Sequence, residues 1–245
     1  MSDESPFRER EPITTADALT VLVEGELEVL GRMPYSSNAT FLVDIEHPVA
    51  SVQGIYKPAQ GERPLWDFPD GLFRREVAAF LISEQLRWNL VPATVERDGP
   101  LGVGSVQLFI PADFDLHYFD LVDDPQHHFT LQRLCVFDYV TNNTDRKGGH
   151  CLIDREGHIW AIDHGLSFHA EFKLRTVIWE FGGDPVPAGI ITDLHRLLDE
   201  PLPEAVTEAL SALEIDALAT RTRAIISAGT FPIDPTGRRY PWPMI

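Results

Sequence analysis

The first half of the chain contains short runs in which apolar and polar residues alternate. Between residues 19 and 58, the segments LTVLVEGELEVLGRM, ATFLVDIE and ASVQGIYKPA carry β-branched or aromatic residues at every second position. Turn residues separate them, in PYSSN and EHP. A period of two places successive side chains on opposite faces of a strand. The pattern predicts a three-stranded antiparallel meander.

A helix follows the meander. The loop GERPLWDFPDG ends in Asp70, which is suited to cap a helix. In LFRREVAAFLISEQLRWN the apolar residues recur at nearly helical spacing, which predicts an amphipathic helix over residues 71–89. Its apolar positions are Phe73, Val77, Phe80, Leu81 and Leu86. Two further strands are predicted in LVPATVER and GSVQLFIP, on either side of the turn DGPLG.

The second half has the pattern of helices, in HFTLQRLCVFDYVTNN, DLHRLLDE and EAVTEALSALEIDALATRTRAIISAG. A β-rich half before an α-rich half predicts an α+β protein of two lobes. We expect a mobile tail over residues 1–13, an N-lobe over 14–110 and a C-lobe over 111–245. The proline-rich end, FPIDPTGRRYPWPMI, is expected to pack without a helix.

Composition narrows the classes of partner. The chain has 245 residues, 38 acidic and 20 basic, and a formal charge of −18. Such a charge repels nucleic acids and anionic membranes, so neither is expected as the main partner. A local cationic pocket for a phosphorylated ligand is compatible with this net charge, because nearby charges dominate inside a cleft.

The expected compartment is the cytoplasm. Cys135 and Cys151 lie among apolar neighbours, which favours buried, reduced thiols over a disulfide. The start, MSDESPFREREP, has no apolar segment typical of a secretion signal. No window approaches the roughly 18 apolar residues of a membrane span, so no integral membrane contact is expected.

Two aspartates flank a predicted β-hairpin in the second half. The segments HCLID and HIWAID have the pattern of short strands joined by a turn at REG. Asp145 precedes the first strand and Asp163 follows the second, so an antiparallel pair brings both carboxylates to one end of the hairpin. That arrangement is suited to hold a divalent ion and orient a hydroxyl group. The alternative is that both aspartates only cap turns.

The order of residues favours the first interpretation. DRKGGHCLID followed by REGHIWAIDHGLSF resembles the catalytic and metal-binding segment of the phosphatidylinositol 3-/4-kinase family, as in its small actinobacterial-type members. The resemblance implies a two-lobed, protein-kinase-like fold: an antiparallel β-rich N-lobe with one helix, and a mainly helical C-lobe with a catalytic hairpin. It implies that Asp145 is the catalytic aspartate, that Asp163 binds the metal, and that the cofactors are ATP and Mg²⁺.

Two positions depart from the family pattern. His150 stands where the family has a metal-binding Asn, and His164 stands where it has the Phe of Asp-Phe-Gly. Imidazole binds Mg²⁺ less readily than an amide oxygen does and suits Mn²⁺ better. The cofactor is therefore expected to be Mg²⁺ or Mn²⁺, with His150 as a metal ligand beside Asp163.

A kinase-like C-lobe requires an N-lobe lysine and glutamate, and the chain supplies Lys57 at the end of VQGIYKP and Glu76 early in the following helix. We expect this pair at the nucleotide phosphates. The alternative is that both are ordinary surface charges. Arg146 and Lys147 either contact phosphate or substrate or lie in a solvated turn.

The other expected nucleotide contacts rest on weaker patterns. Ser36, Ser37 and Asn38 lie between the first two strands, where hydroxyl, amide and backbone N–H groups are suited to bind phosphates. By its place in the order, the segment around Gln107 and Phe109 corresponds to the hinge between lobes, where backbone groups would meet adenine.

Three functions are compatible with these residues. The first is an ATP-dependent phosphotransferase that acts on a hydroxyl of a protein or small molecule. The second is a nucleotide-binding pseudokinase that acts as a regulatory module, which the two histidines favour. The third is an adenylyl transferase, if the nucleotide binds in the reverse direction.

Overall fold

The computed structural model describes residues 7–8, 11–34 and 38–245. Within that part of the chain, a five-stranded antiparallel sheet precedes a mainly helical half that contains a two-stranded hairpin. The predicted α+β class, with an antiparallel β-rich half before a mainly helical half that contains a hairpin, is confirmed. The boundaries at residues 13 and 110 stay predictions.

The larger sheet contains the predicted meander. Its strands lie in the order β1-β2-β3-β5-β4, and all neighbours are antiparallel. They are β1 (Glu26–Arg32), β2 (Phe41–Glu46), β3 (Ser51–Pro58), β4 (Thr94–Gly99) and β5 (Gly102–Leu108). Because side chains alternate along a strand, Gln53, Ile55 and Lys57 share one face of β3, and Tyr56 points to the other.

The start of the meander was predicted wrongly. Residues 19–24 belong to helix α1 (Thr15–Glu24), so the N-terminal half has a second helix besides the predicted one. The Thr14 side chain accepts a 3.1 Å hydrogen bond from the Asp17 amide and caps this helix. The segment alternates like a strand, but its buried residues are spaced three and four apart: Ala18, Val21 and Leu22.

Helix α2 (Leu72–Gln85) confirms the predicted amphipathic helix, with two corrections at its ends. Asp70 is not its cap: the two carboxylate oxygens of Glu62 accept from the amides of Gly71 and Phe73, at 2.9 and 2.7 Å. A carboxylate there neutralises the positive end of the helix dipole. The helix stops before residue 89 because Arg87 and Asn89 have left-handed backbone angles.

Five α-helices and a hairpin follow the sheet in the described chain. The helices are α3 (Tyr118–Leu121), α4 (His128–Thr141), α5 (Ala188–Asp199), α6 (Glu204–Ala209) and α7 (Ala212–Ala228). The predicted hairpin is confirmed as β6 (Cys151–Ile153) paired with β7 (Ile159–Ala161). The last predicted helical segment is divided into α6 and α7, because Ser211 and Glu214 form a capping box that starts a new helix.

The core runs through both halves. Helices α1 and α2 pack against the sheet, and α4 and α5 pack against α7. Both cysteines are buried and free, as predicted. The final segment packs without a helix: the Gly148 and Thr176 amides donate to the Met244 and Arg239 carbonyls. Among the described residues, no helix has the length and apolar character needed to span a bilayer.

Candidate active site

Lys57 lies between two carboxylates that come from different parts of the chain. Its ammonium donates to Glu76 Oε1 on α2 and to Asp163 Oδ1 after β7, the latter at 2.9 Å. Burial opposes the charge of Lys57, but Asp163 and Glu76 outweigh this effect and raise its pKa above the usual value. The predicted pairing of Lys57 with Glu76 is present, and neither residue is an ordinary surface charge.

Glu76 also fixes the segment that carries Asp163. Its second oxygen accepts a 2.9 Å hydrogen bond from the backbone amide of His164. The neighbouring Arg75, almost completely buried, donates to the Ser167 carbonyl and to Glu214 Oε1, both at 2.6 Å. Two adjacent residues of α2 therefore tie this helix to the C-terminal half and hold Lys57 near Asp163.

Asp163 combines an unusual backbone with a strongly favoured charge. Its φ of 61° lies in the left-handed region, which is uncommon for a residue with a side chain. The Lys57 charge holds the pKa of the Asp163 carboxyl well below its usual range. The low pKa keeps this carboxylate ionised. The side chain is half exposed, so the carboxylate is open to a ligand.

His150 faces the same carboxylate. Its Nε2 lies 3.6 Å from Asp163 Oδ2. Burial lowers the pKa of His150 to about 4. The imidazole is therefore neutral at neutral pH and keeps a nitrogen lone pair, which is the form that binds metals.

Asp145 lies in the loop between α4 and the hairpin. Its amide donates to Asn143 Oδ1 at 2.9 Å, and its carboxylate pairs with Lys147 Nζ at 3.1 Å. Burial raises the pKa of the Asp145 carboxyl; Lys147 opposes this rise and the charge of Asp163 adds to it. The electrostatic coupling of Asp145 and Asp163 fits the prediction that the hairpin brings them to one end.

A buried arginine supports this loop from beneath. The Arg146 guanidinium donates to both oxygens of Asp138 at 3.0–3.1 Å, and both side chains are fully buried. It also donates to the carbonyls of His150 and Ile162, at 3.3 and 2.7 Å. Arg146 therefore does not lie in a solvated turn, and its guanidinium is enclosed by protein groups and not open to phosphate or substrate.

His164, the second departure from the family pattern, completes that buried network. Its Nε2 lies 2.7 Å from the Arg146 guanidinium, which has only donors, so this nitrogen accepts the hydrogen bond. Burial and the Arg146 charge lower the pKa of His164 well below its usual value. The ring is neutral and acts as part of the support for the hairpin.

The sequence did not predict this supporting layer, which consists of Asp138, Arg146 and His164. The local signal was the pair Asn142 and Asn143 before the aspartate. Asn142 caps α4 in a left-handed conformation, and its amide nitrogen donates to the carbonyls of His169 and Glu171. Consecutive Asn residues at a helix end are typical of such backbone-fixing roles.

Three other residues expected at the nucleotide, Asn38, Gln107 and Phe109, contact neighbouring protein groups. Asn38 Oδ1 accepts a 3.1 Å hydrogen bond from the Arg63 amide. Ser36 and Ser37 lie outside the described residues. The Gln107 side chain donates to Thr94 Oγ1 at 2.9 Å, within the sheet. The Phe109 amide donates to a β3 carbonyl, and the Phe109 ring is stacked on Phe7 at 4.9 Å. The roles of these residues toward a nucleotide stay predictions.

Asp163 and His150 offer an oxygen and a nitrogen donor of the kinds that bind divalent ions. An ionised carboxylate and a neutral imidazole face each other across 3.6 Å. Among the described residues, no group of three or more His, Cys, Asp or Glu side chains is arranged to hold a metal. A magnesium ion in nucleotide sites uses one or two carboxylates and takes its other ligands from phosphates and water.

A cavity of about 750 Å³ opens beside Asp145. Its walls come from the loop before α2, the segment after the hairpin and the C-terminal segment. They carry four basic side chains and two exposed aromatic rings: Lys173, Arg175, Arg238 and Arg239, with Trp66 and Phe172. The cavity is large enough for a small molecule.

The chain matches a known protein family over more than half of its length. Residues 75–214 match the pattern of the family described as phosphatidylinositol 3- and 4-kinase. That range includes Glu76, Asp145, His150 and Asp163, and excludes Lys57. A Mycobacterium tuberculosis protein described as Protein Rv2133c is 42% identical, over 93% of this chain and 95% of that protein.

The chain also resembles the solved structure of the Helicobacter pylori proinflammatory kinase CtkA, with a TM-score of 0.48 and 12% identity, over 83% of this chain and 97% of that one.

Proposed function

We propose, from the premise that the chain belongs to the phosphatidylinositol 3- and 4-kinase family, that it is an ATP-dependent phosphotransferase acting on a hydroxyl of a protein or small molecule. One observation carries the proposal: the Lys57 ammonium lies between Glu76 and Asp163, with Asp145 coupled to Asp163. This set contains a phosphate-binding cation, a metal-binding carboxylate and a proton acceptor.

Lys57 and Asp163 have the nucleotide roles. The Lys57 ammonium binds phosphate oxygens, and Glu76 keeps it in place through a charge-assisted hydrogen bond. Asp163 and His150 would hold Mg²⁺ or Mn²⁺. A divalent ion there would supply positive charge against the nucleotide phosphates.

Asp145 has the acid–base role. The acceptor oxygen attacks the γ-phosphorus, the bond from this phosphorus to the β–γ bridging oxygen breaks, and ADP leaves. The acceptor proton passes to the Asp145 carboxylate. Burial favours this transfer because it raises the pKa of Asp145 and makes the carboxylate a better base.

The second candidate is a nucleotide-binding pseudokinase that acts as a regulatory module. The observation that favours it is His150 in place of the family's asparagine. Against it, the low pKa of His150 keeps its imidazole in the metal-binding form. A third candidate, adenylyl transfer, uses the same residues with the nucleotide reversed.

An experiment with labelled nucleotide separates the three. Purified protein is incubated with ATP labelled on the γ- or the α-phosphate, with Mg²⁺ and separately with Mn²⁺, together with the metabolite or protein fraction of a cell extract. Phosphoryl transfer moves the γ-label and releases ADP. Movement of the α-label supports adenylyl transfer, and tight ATP binding without transfer in any fraction supports the pseudokinase. Failure to bind any nucleotide contradicts all three.

We also place the protein in the cytoplasm. Two buried, free cysteines support a reducing compartment.

A further inference from the structure

The cavity beside Asp145 is positively charged on a protein that carries a net charge of −18. Four basic side chains line it, against two acidic ones, Asp67 and Asp145. Asp67 is already paired, because its carboxylate accepts from Lys173 Nζ at 2.9 Å. Since nearby charges dominate the potential inside a cleft, this cavity attracts anions although the whole chain repels them.

Two of the four basic groups are available to a ligand. The Arg239 Nε lies 3.8 Å from Asp234 Oδ1, and the Arg239 guanidinium carbon lies 4.7 Å from the centre of the Phe172 ring. Arg239 is therefore already engaged. Among the described residues, by contrast, the guanidinium groups of Arg175 and Arg238 have no ion-pair or hydrogen-bond partner, and both residues are exposed. Unpaired guanidinium groups are suited to bind phosphate or carboxylate in a bidentate manner.

Backbone hydrogen bonds position both arginines relative to the catalytic loop. The Arg175 amide donates to the Asn143 carbonyl at 2.9 Å, and the Arg146 amide donates to the Arg175 carbonyl at 3.1 Å. Arg175 is thus fixed directly alongside Asp145. The amide of the next residue, Thr176, donates to the Arg239 carbonyl at 3.1 Å. This hydrogen bond attaches the C-terminal segment to the segment that carries Arg175.

The C-terminal segment has its own internal support. The Asp234 carboxylate accepts from the amides of Thr236 and Arg239, at 2.9 and 2.8 Å. The Arg238 amide donates to Thr236 Oγ1 at 3.2 Å. The turn that presents Arg238 at the cavity is therefore built by specific contacts.

We propose that Arg175 and Arg238 select the acceptor, and that this acceptor is a small soluble molecule that carries a phosphate or carboxylate group besides its reactive hydroxyl. This inference rests on the proposed function, because it treats the cavity as the place from which a hydroxyl reaches Asp145. The anionic group binds the two guanidinium groups, and its hydroxyl is directed to the carboxylate.

The size of the cavity favours a small molecule over a peptide. About 750 Å³ lies within the usual volume range of small-molecule pockets. The negative net charge disfavours an anionic lipid surface as the source of the same headgroup chemistry.

A binding experiment tests the assignment apart from turnover. Protein saturated with ADP and Mn²⁺ is titrated by calorimetry with fructose 1,6-bisphosphate, a hydroxylated dianionic probe, and with fructose as its uncharged counterpart. Arg175→Gln and Arg238→Gln are compared with Arg223→Gln, an exposed arginine on α7 that does not line the cavity. Thermal unfolding verifies that each variant folds.

The bisphosphate is expected to bind and fructose is not. Each cavity variant is expected to weaken binding on the order of tenfold, the effect of losing a charge-assisted hydrogen bond, and Arg223→Gln is expected to leave it unchanged. Equal binding by all variants, or no binding of the bisphosphate, overturns the proposal.

Two further binding experiments test a lipid and a peptide as the source of the anionic group. Phosphatidylcholine vesicles with phosphatidylinositol monophosphate test the lipid source, and an acidic serine-containing peptide tests the macromolecular one. Arginine-dependent binding of either, with no binding of the soluble probe, overturns the choice of a soluble small molecule. If ADP does not bind at all, the proposed function fails, and the titration without nucleotide still tests the cavity.

Discussion

Asp163 accepts a 2.9 Å hydrogen bond from the ammonium of Lys57, although 106 positions separate the two residues in the sequence. Lys57 belongs to the sheet and Asp163 follows the hairpin of the helical half. Glu76 contacts both sides, through the Lys57 ammonium and the His164 amide. The candidate nucleotide site therefore exists only when the two halves are packed together.

The Lys57 ammonium should provide part of the nucleotide affinity. Lys57→Met keeps an apolar side chain of similar length and removes the charge, so ATP binding should weaken by about 1–3 kcal/mol, the range for a charge-assisted contact. Calorimetric titration with ATP and Mn²⁺ measures this loss, with Arg223→Met as a control for removal of one positive charge. Unchanged ATP affinity in a folded Lys57→Met protein would show that Lys57 does not bind the nucleotide.

His150 should determine metal preference. His150→Asn replaces the imidazole with the amide oxygen donor of the family, so activity with Mg²⁺ should rise relative to activity with Mn²⁺. The rate of ADP formation with each ion gives the ratio. His195→Asn, an exposed position on α5, serves as the matched control. A ratio that is the same in all three proteins would show that His150 is not a ligand.

Asp145 should set the acid limb of the pH profile. Its carboxylate must be ionised to accept a proton, and burial raises its pKa. Activity should therefore fall as the pH decreases, starting above the value of about 3.9 of a free aspartate. Lys147 opposes this rise, so Lys147→Met should move the acid limb to higher pH. If the acid limb does not move, Asp145 is not the group whose ionisation limits activity at low pH.

The buried pair of Arg75 and Glu214 should stabilise the docking of α2. Arg75→Met leaves the Glu214 carboxylate buried without its cation, which should cost about 3–5 kcal/mol of unfolding free energy. Glu214→Gln preserves the capping box with Ser211, and the double variant should lose less than the sum of the single losses. Urea unfolding of the four proteins measures this coupling. Additive losses would mean that the pair does not interact.

Much of this fold could be predicted because its patterns are local. The meander, helix α2 and the hairpin follow from the spacing of apolar residues, and the order of residues from Asp145 to Asp163 indicated the family to which the chain belongs. Helix α1 was missed because LTVLVE alternates like a strand. Its helical spacing becomes evident only with the cap at Thr14.

The supporting layer could not be predicted because it is formed by contacts between distant residues. Arg146 looks like a surface residue in its motif, and only the packing of α4 beneath it supplies the Asp138 carboxylate that permits its burial. In the same way, nothing near Arg238 in the sequence connects it with Asp145. The hydrogen bond between the Thr176 amide and the Arg239 carbonyl brings the segment that contains Arg238 to the cavity.

The central claim is that Asp145 accepts the proton and Asp163 holds the metal, and one comparison tests both. ATP affinity and ADP formation are measured with and without Mn²⁺ for wild type, Asp145→Asn, Asp163→Asn and Asp216→Asn, the last an exposed control on α7. Asp145→Asn should keep metal-dependent ATP binding and lose a factor of about 10²–10⁴ in rate, whereas Asp163→Asn should lose the metal dependence of binding. Turnover by Asp145→Asn at the wild-type rate, or undiminished metal dependence in Asp163→Asn, would contradict the account.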